Sequence, residues 1–178
     1  MPDPMAAVSD LYYLAMGMQD ISSAVSFDDL FTPDELYGAL QCVDTRMYYV
    51  NVTGTVGPQS VRPLLKDFLE KADVAVSGSS PAVATLRFGH DSILIRLLSL
   101  LGVEECSARE ADIRNYAEAW QGWKVSPMAA NLQMVFYRGR KGVQVKLLLN
   151  ERETSIPALG EGPYYDWKQF REYAGGLL

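Results

Sequence analysis

Residues 82–101 place the first constraint on this chain. Two apolar segments of different character meet there at a glycine. Residues 82–88 are short, apolar and β-permissive, as a buried strand would be. Residues 91–101 are apolar almost all round and read as a helix, with Gly102 where a C-terminal cap belongs. A strand, a tight turn at Gly89 and a buried helix make one half of a βα unit. His90 and Asp91 fall at the junction, and His90 is the one histidine of the 178 residues.

The surrounding pattern fits an α/β chain with a helical N-terminal segment. Residues 5–18 carry Leu11, Leu14 and Met18 at helical spacing, and residues 26–31 read as a turn. Thr32-Pro33-Asp34-Glu35 is a strong helix start. Thr32 can cap, Pro33 suits the first helical position, and Glu35 can close a capping box. Leu36, Leu40, Val43 and Met47 then share one face. Gly54, Gly57 and Pro58 end that helix. A second begins near Ser60, with Val61, Leu64, Leu65, Phe68, Leu69 and Ala72 in helical period and Pro63 tolerable in the first turn. Residues 77–81 form a polar loop. Beyond the central unit, residues 112–120 read as helical. Residues 131–137 and 143–149 read as strands of a hairpin around the turn 138–142. Residues 165–173 read as a closing helix. The expected organisation is a mainly helical segment over 1–77 and an α/β portion over 78–178, without internal repeats.

Composition narrows the function. A net charge of −6 with 48% hydrophobic residues describes an ordinary globular chain. It argues against a general nucleic-acid or anionic-membrane binder, since both need a basic face. The longest apolar stretch, residues 93–103, is interrupted by Arg96 and falls short of the ~20 residues a membrane span takes. Residues 1–4 carry no positive charge and no apolar block follows them, so no signal peptide is expected. Cys42 and Cys106 make neither a CxxC pair nor a zinc pattern, and two buried free thiols are expected. Trp120, Trp123 and Trp167 read as packing residues. Arg138, Arg140 and Lys141 read as solvated surface. Tyr12-Tyr13 and Tyr48-Tyr49 each read as one buried and one exposed ring.

At the junction two chemistries stand open. Unpaired N–H groups and the helix dipole favour an anion at a helix start. Gly89 lets the backbone turn sharply and a ligand come close. His90 could donate to a phosphate oxygen, and a protonated Asp91 could serve as general acid toward a leaving alkoxide. Equally, Asp91 suits a plain N-cap and His90 a hydrogen bond in a turn. Arg87 could reach an anion or sit in a surface ion pair.

Arg87-Phe88-Gly89-His90-Asp91-Ser92 and the following Leu94-Ile95-Arg96-Leu97-Leu98-Ser99-Leu100-Leu101-Gly102 resemble the second signature of the histidine acid phosphatases. The phytases and multiple inositol polyphosphate phosphatases are the nearest branch. Leu30-Phe31-Thr32-Pro33-Asp34-Glu35 and Pro63-Leu64-Leu65-Lys66-Asp67-Phe68 are similar to that branch's helical region. Asn131-Leu132-Gln133-Met134-Val135-Phe136-Tyr137-Arg138, Leu148-Leu149-Asn150-Glu151 and Pro163-Tyr164-Tyr165-Asp166-Trp167 are similar to its C-terminal part. The resemblance implies a phosphoglycerate-mutase-like α/β core with a mixed sheet. It implies hydrolysis of a phosphomonoester through a phosphohistidine, with no metal or other cofactor. His90 would bind the phosphoryl group and Asp91 would protonate the leaving oxygen.

One departure is large. The family's nucleophile lies in an N-terminal Arg-His-Gly motif, and this sequence has none. The resemblance therefore implies a C-terminal portion, less than half of a whole phosphatase and inactive alone. Two alternatives follow: a remnant that binds anions or a partner through self-association, or one half of a split enzyme completed by a separate N-terminal half. Such enzymes are usually periplasmic or secreted.

Overall fold

The computed structural model describes residues 4–18, 21 and 27–178. The signal-peptide reading at residues 1–3 and the start of the turn at Ser26 lie outside these. The chain divides into two compact units, Met1–Arg46 and Met47–Leu178.

In the first unit, α1 (Pro4–Met18) buries Tyr12 and Ala15, while Leu11, Leu14 and Tyr13 face solvent. The two tyrosines thus divide as expected, but the buried face is not the leucine face. Residues Asp28–Leu30 form a single 3-10 turn. Helix α2 (Pro33–Met47) starts as its sequence dictates. The Thr32 N–H donates to Glu35 Oε2 at 2.8 Å, and the Glu35 N–H donates to Thr32 Oγ1 at 3.3 Å. This reciprocal box satisfies two donors that the first turn leaves open.

The second unit opens with a π-helical turn, Tyr48–Val52, and the short α3 (Val56–Gln59). Gly57 is required there, because a Cβ would meet the Val50 carbonyl oxygen at 2.1 Å. Helix α4 (Arg62–Ser77) buries Leu65, Leu69 and Ala72, four and three residues apart as a helical stripe demands. It ends on Gly78 at φ +78°, and α5 (Asp91–Leu101) ends on Gly102 at φ +66°. Both left-handed caps suit glycine. The stretch after α5 is less helical than its sequence suggests. It holds a 3-10 turn at Glu104–Cys106 and the single turns α6 (Tyr116–Ala119) and α7 (Gly122–Val125).

Strands β1 (Leu132–Gly139) and β2 (Gly142–Leu149) form the expected hairpin, in a register that pairs Gly139 with Gly142. Two strands too short to read from sequence complete the sheet. Both β3 (Arg152–Glu153) and β4 (Tyr164–Asp166) pair with β2. Helix α8 (Trp167–Gly176) follows at once, capped by Asp166, whose side chain accepts from the Lys168 and Gln169 N–H groups. Val145, Leu147 and Leu149 alternate along β2 into a core that includes Leu65, Leu69, Ile95, Leu98, Leu101, Phe170 and Trp167. Full burial of each such side chain stabilises the unit by roughly 1.5–3 kcal/mol.

The α/β class holds, and four finer expectations are corrected. The sheet among the described residues is antiparallel throughout rather than mixed. Residues 82–88 do not form a strand. They run without regular structure, and residues 83–89 make no backbone–backbone hydrogen bond with the described residues. Val83, Leu86 and Phe88 are 105%, 77% and 94% exposed. A β-permissive sequence becomes a strand only against a neighbour, and none of the described residues supplies one. Finally, of the two free cysteines only Cys106 is buried and Cys42 is exposed. Trp120 and Trp167 pack in the core as expected, but Trp123 is exposed, with the Lys124 ammonium over its ring.

Candidate functional site

The pair His90 and Asp91 sits at the start of α5, as the sequence indicates, but with positions exchanged relative to the capping alternative. His90 is the N-cap residue, with extended backbone (φ −93°, ψ 156°) and no side-chain capping bond. Its carbonyl accepts from the N–H groups of Ile93 and Leu94 at 3.1 and 3.2 Å, closing the first turn. Asp91 is the first helical residue, not the cap. Its Oδ1 accepts the Ser92 N–H at 2.6 Å. Both side chains are exposed. Asp91 in the first turn of α5 is well placed with respect to the helix dipole.

The approach to the pair is open. Gly89 has no positive φ, so no turn obliges a glycine there, and a Cβ at that position would meet nothing within 4 Å. Its smallness leaves free space beside His90. Arg87 does not point at the pair. Its guanidinium pairs with Asp67 of α4 and lies 4.4 Å from the centroid of the Phe68 ring. The ion-paired alternative for Arg87 is the one the structure adopts, and this contact ties the extended segment to α4 at a single point.

The local sequence explains this geometry. The apolar residues Ile95, Leu97, Leu98 and Leu101 bury α5 against the core, and that burial fixes the direction of its N-terminus. The polar pair precedes the buried stretch and stays in solvent. Chemically, the arrangement offers an imidazole and a carboxyl group on one exposed turn, where the Ser92, Ile93 and Leu94 N–H groups already donate to Asp91 and His90. No second histidine stands near it, because the chain has only one. Among the described residues no group of three or more His, Cys, Asp or Glu side chains is arranged to hold a metal ion. Nor is any helix of the described residues long and apolar enough to cross a membrane.

Sequence reasoning passed over one set of residues. Arg96 registers there only as a break in an apolar run. In the structure it hydrogen-bonds Asn51 and Ser60, 45 and 36 residues earlier. A lone cation inside an apolar helix was the available signal.

No curated protein matches this chain. A family model does, that of the histidine phosphatase superfamily (branch 2), over residues 5–150. The match takes in the helices before α8, the His90-Asp91 junction and the β1–β2 hairpin. The chain belongs to the histidine phosphatase superfamily, branch 2.

Proposed function

We propose that this chain carries the phosphate-holding and proton-donating part of a phosphomonoesterase centre. His90 donates a hydrogen bond to an oxygen of the phosphoryl group. Asp91, when protonated, gives its proton to the leaving alkoxide. The observation that carries this reading is the placement of both side chains in solvent on the open first turn of α5, in a chain of this superfamily. The wording of the 86–102 motif supports phytate-like inositol polyphosphates as the substrates.

Attack on phosphorus needs an activated nucleophile. The one histidine is committed to the phosphoryl oxygens, so the nucleophile comes from outside these residues, on a segment bearing the Arg-His-Gly motif. Loss of a nucleophile commonly costs several orders of magnitude in rate. The purified chain should therefore not turn over p-nitrophenyl phosphate or phytate. Clear turnover that disappears in His90→Ala would sink this reading, because it would require a nucleophile within the chain.

A second reading is a non-catalytic module that binds a partner, including another copy of itself. Its support is the extended, apolar and unpaired segment at 82–88. An exposed edge of this kind favours association. Light scattering should find a dimer or larger species, and a strictly monomeric chain at all concentrations would count against it. Activity on mixing with a separate Arg-His-Gly segment would favour the split enzyme over the remnant.

A further inference from the structure

Two clefts open in the second unit on either side of the backbone at Gly54 and Thr55. One, of about 390 Å³, has Arg96 and Ser60 in its wall. The other, of about 320 Å³, has Arg62, Arg109 and Ser99. Such volumes suit a small ligand. Neither wall contains an aspartate or glutamate. On a chain with 22 acidic residues against 16 basic ones, two adjoining clefts that hold three arginines and no carboxylate stand out. Elsewhere in the unit, Arg87, Arg114 and Arg171 are each paired with an aspartate.

The arginines are held, but not neutralised. Arg96 Nε donates to Asn51 Oδ1 at 2.7 Å, and one terminal nitrogen reaches Ser60 Oγ at 3.3 Å. Asn51 is itself 3% exposed, and its amide donates to Met47 Sδ. Ser60 Oγ donates onward to the Gly57 carbonyl at 2.6 Å, so toward Arg96 it acts as acceptor. A guanidinium has five N–H donors. Two are used, which leaves three without an acceptor among the described residues. Arg109 is aimed in the same way, through the Cys106 and Ala108 carbonyls at 2.7 and 3.0 Å, with Ser99 Oγ at 3.5 Å from its other terminal nitrogen. Ser99 and Arg96 lie one turn apart on α5. Fixing a half-buried guanidinium with neutral oxygens keeps its full charge for an external anion.

We propose that the two adjoining clefts, with Arg96 in one and Arg62 and Arg109 in the other, bind phosphate-type oxyanions, separate from His90. The separation follows from helix geometry. Five residues from Asp91 to Arg96 mean about 7.5 Å of rise and a turn of roughly 140° about the axis. The inference does not depend on the catalytic reading of His90.

Calorimetric titration of the whole chain with inorganic phosphate and with tripolyphosphate, at low ionic strength, tests it. Both should bind, and tripolyphosphate should bind at least tenfold more tightly, since it can engage arginines of both clefts. Arg96→Gln should weaken phosphate binding by at least tenfold, and Arg62→Gln or Arg109→Gln should each weaken tripolyphosphate binding several-fold. Lys141→Gln, a charge removed from the exposed hairpin turn, should leave both affinities within twofold. Arg62 and Arg109 are exposed, so their variants test the site even where Arg96→Gln disturbs the Asn51 contact. Wild-type affinity in folded Arg62→Gln and Arg109→Gln overturns the proposal. So does an equal loss of binding in Lys141→Gln, which would mean that charge alone draws the anion, and so does equal affinity for the two probes.

Discussion

Replacing Val83, Leu86 and Phe88 together by serine separates the structure from the strand expectation that their sequence raises. If residues 82–88 lay buried within this chain, the three changes would each leave a cavity. Leucine truncation in a core costs about 2–5 kcal/mol and phenylalanine about 3–5 kcal/mol. The total would be of order 8 kcal/mol, comparable with the whole stability of a domain at about 5–15 kcal/mol. In the structure these side chains are 105%, 77% and 94% exposed, and their removal empties no cavity. Exposed substitutions away from special features stay within about 0.5 kcal/mol each. Urea unfolding at low protein concentration decides the matter. With a slope near 2 kcal/mol per molar, the triple variant should keep its midpoint within about 0.8 M of the parent, whereas the buried alternative shifts it by several molar. The slope should not change either. A variant that is unfolded, or that loses more than about 2 M, would refute the exposure and with it the idea that an outside strand must cover this segment. The same variant should be less prone to associate at high concentration.

Tyr48→Phe should lower stability by about 1–3 kcal/mol, since the fully buried hydroxyl accepts the Glu110 N–H at 2.6 Å and donates to the Ala108 carbonyl. Thermal unfolding should show a fall of a few degrees, roughly 2–4 °C for each kcal/mol, and no change would refute the hydrogen-bonded role. The Thr32 N–H, then the Thr32 hydroxyl, hold the Glu35 carboxyl below its ordinary value of 4.5. A lowered folded value means that the cap stabilises α2 above the ordinary glutamate range and is lost as pH falls through the folded value. Carboxyl NMR titration should show Glu35 rising part of the way back in Thr32→Ala, the backbone bond being retained. Burial pushes the Cys106 thiol up to about 12, so at pH 8 only about one molecule in 10⁴ carries its thiolate. Iodoacetamide on the native chain should add once, at exposed Cys42, and twice after denaturation, as counted by mass spectrometry.

What could be read from the sequence divides along a physical line. Features decided by residues within a few positions of one another were legible. The Thr32–Glu35 box, the stripe on α4, the glycine caps at 78 and 102, and the hairpin turn at 139–142 all close within their own segments. Features decided by a distant neighbour were not. Strands β3 and β4, of two and three residues, exist because β2 offers them a ladder. Residues 82–88 have strand chemistry but no ladder to join. The site obeys the same rule. His90 and Asp91 are adjacent, so the sequence alone pairs them. Arg62, Arg96 and Arg109 span 48 positions and line adjoining clefts only because α5 packs on the π-helical turn and α3.

That contrast also fixes what each site needs in order to work. The buried stretch of α5 supports both, so a variant that loosens its packing, such as Leu98→Ala, should weaken both together. The pair at the start of α5, however, stands on one exposed turn after a segment without regular structure. On the proposed reading, that site is completed by polypeptide that these residues do not supply. The arginine clefts draw every aligning contact from within the second unit. The two sites should therefore separate experimentally: adding a complementing segment should change anion binding at His90 and leave the arginine clefts as they are. If the segment alters both equally, the clefts are not self-contained, and the alignment of Arg96 by Asn51 and Ser60 is not what sets their affinity.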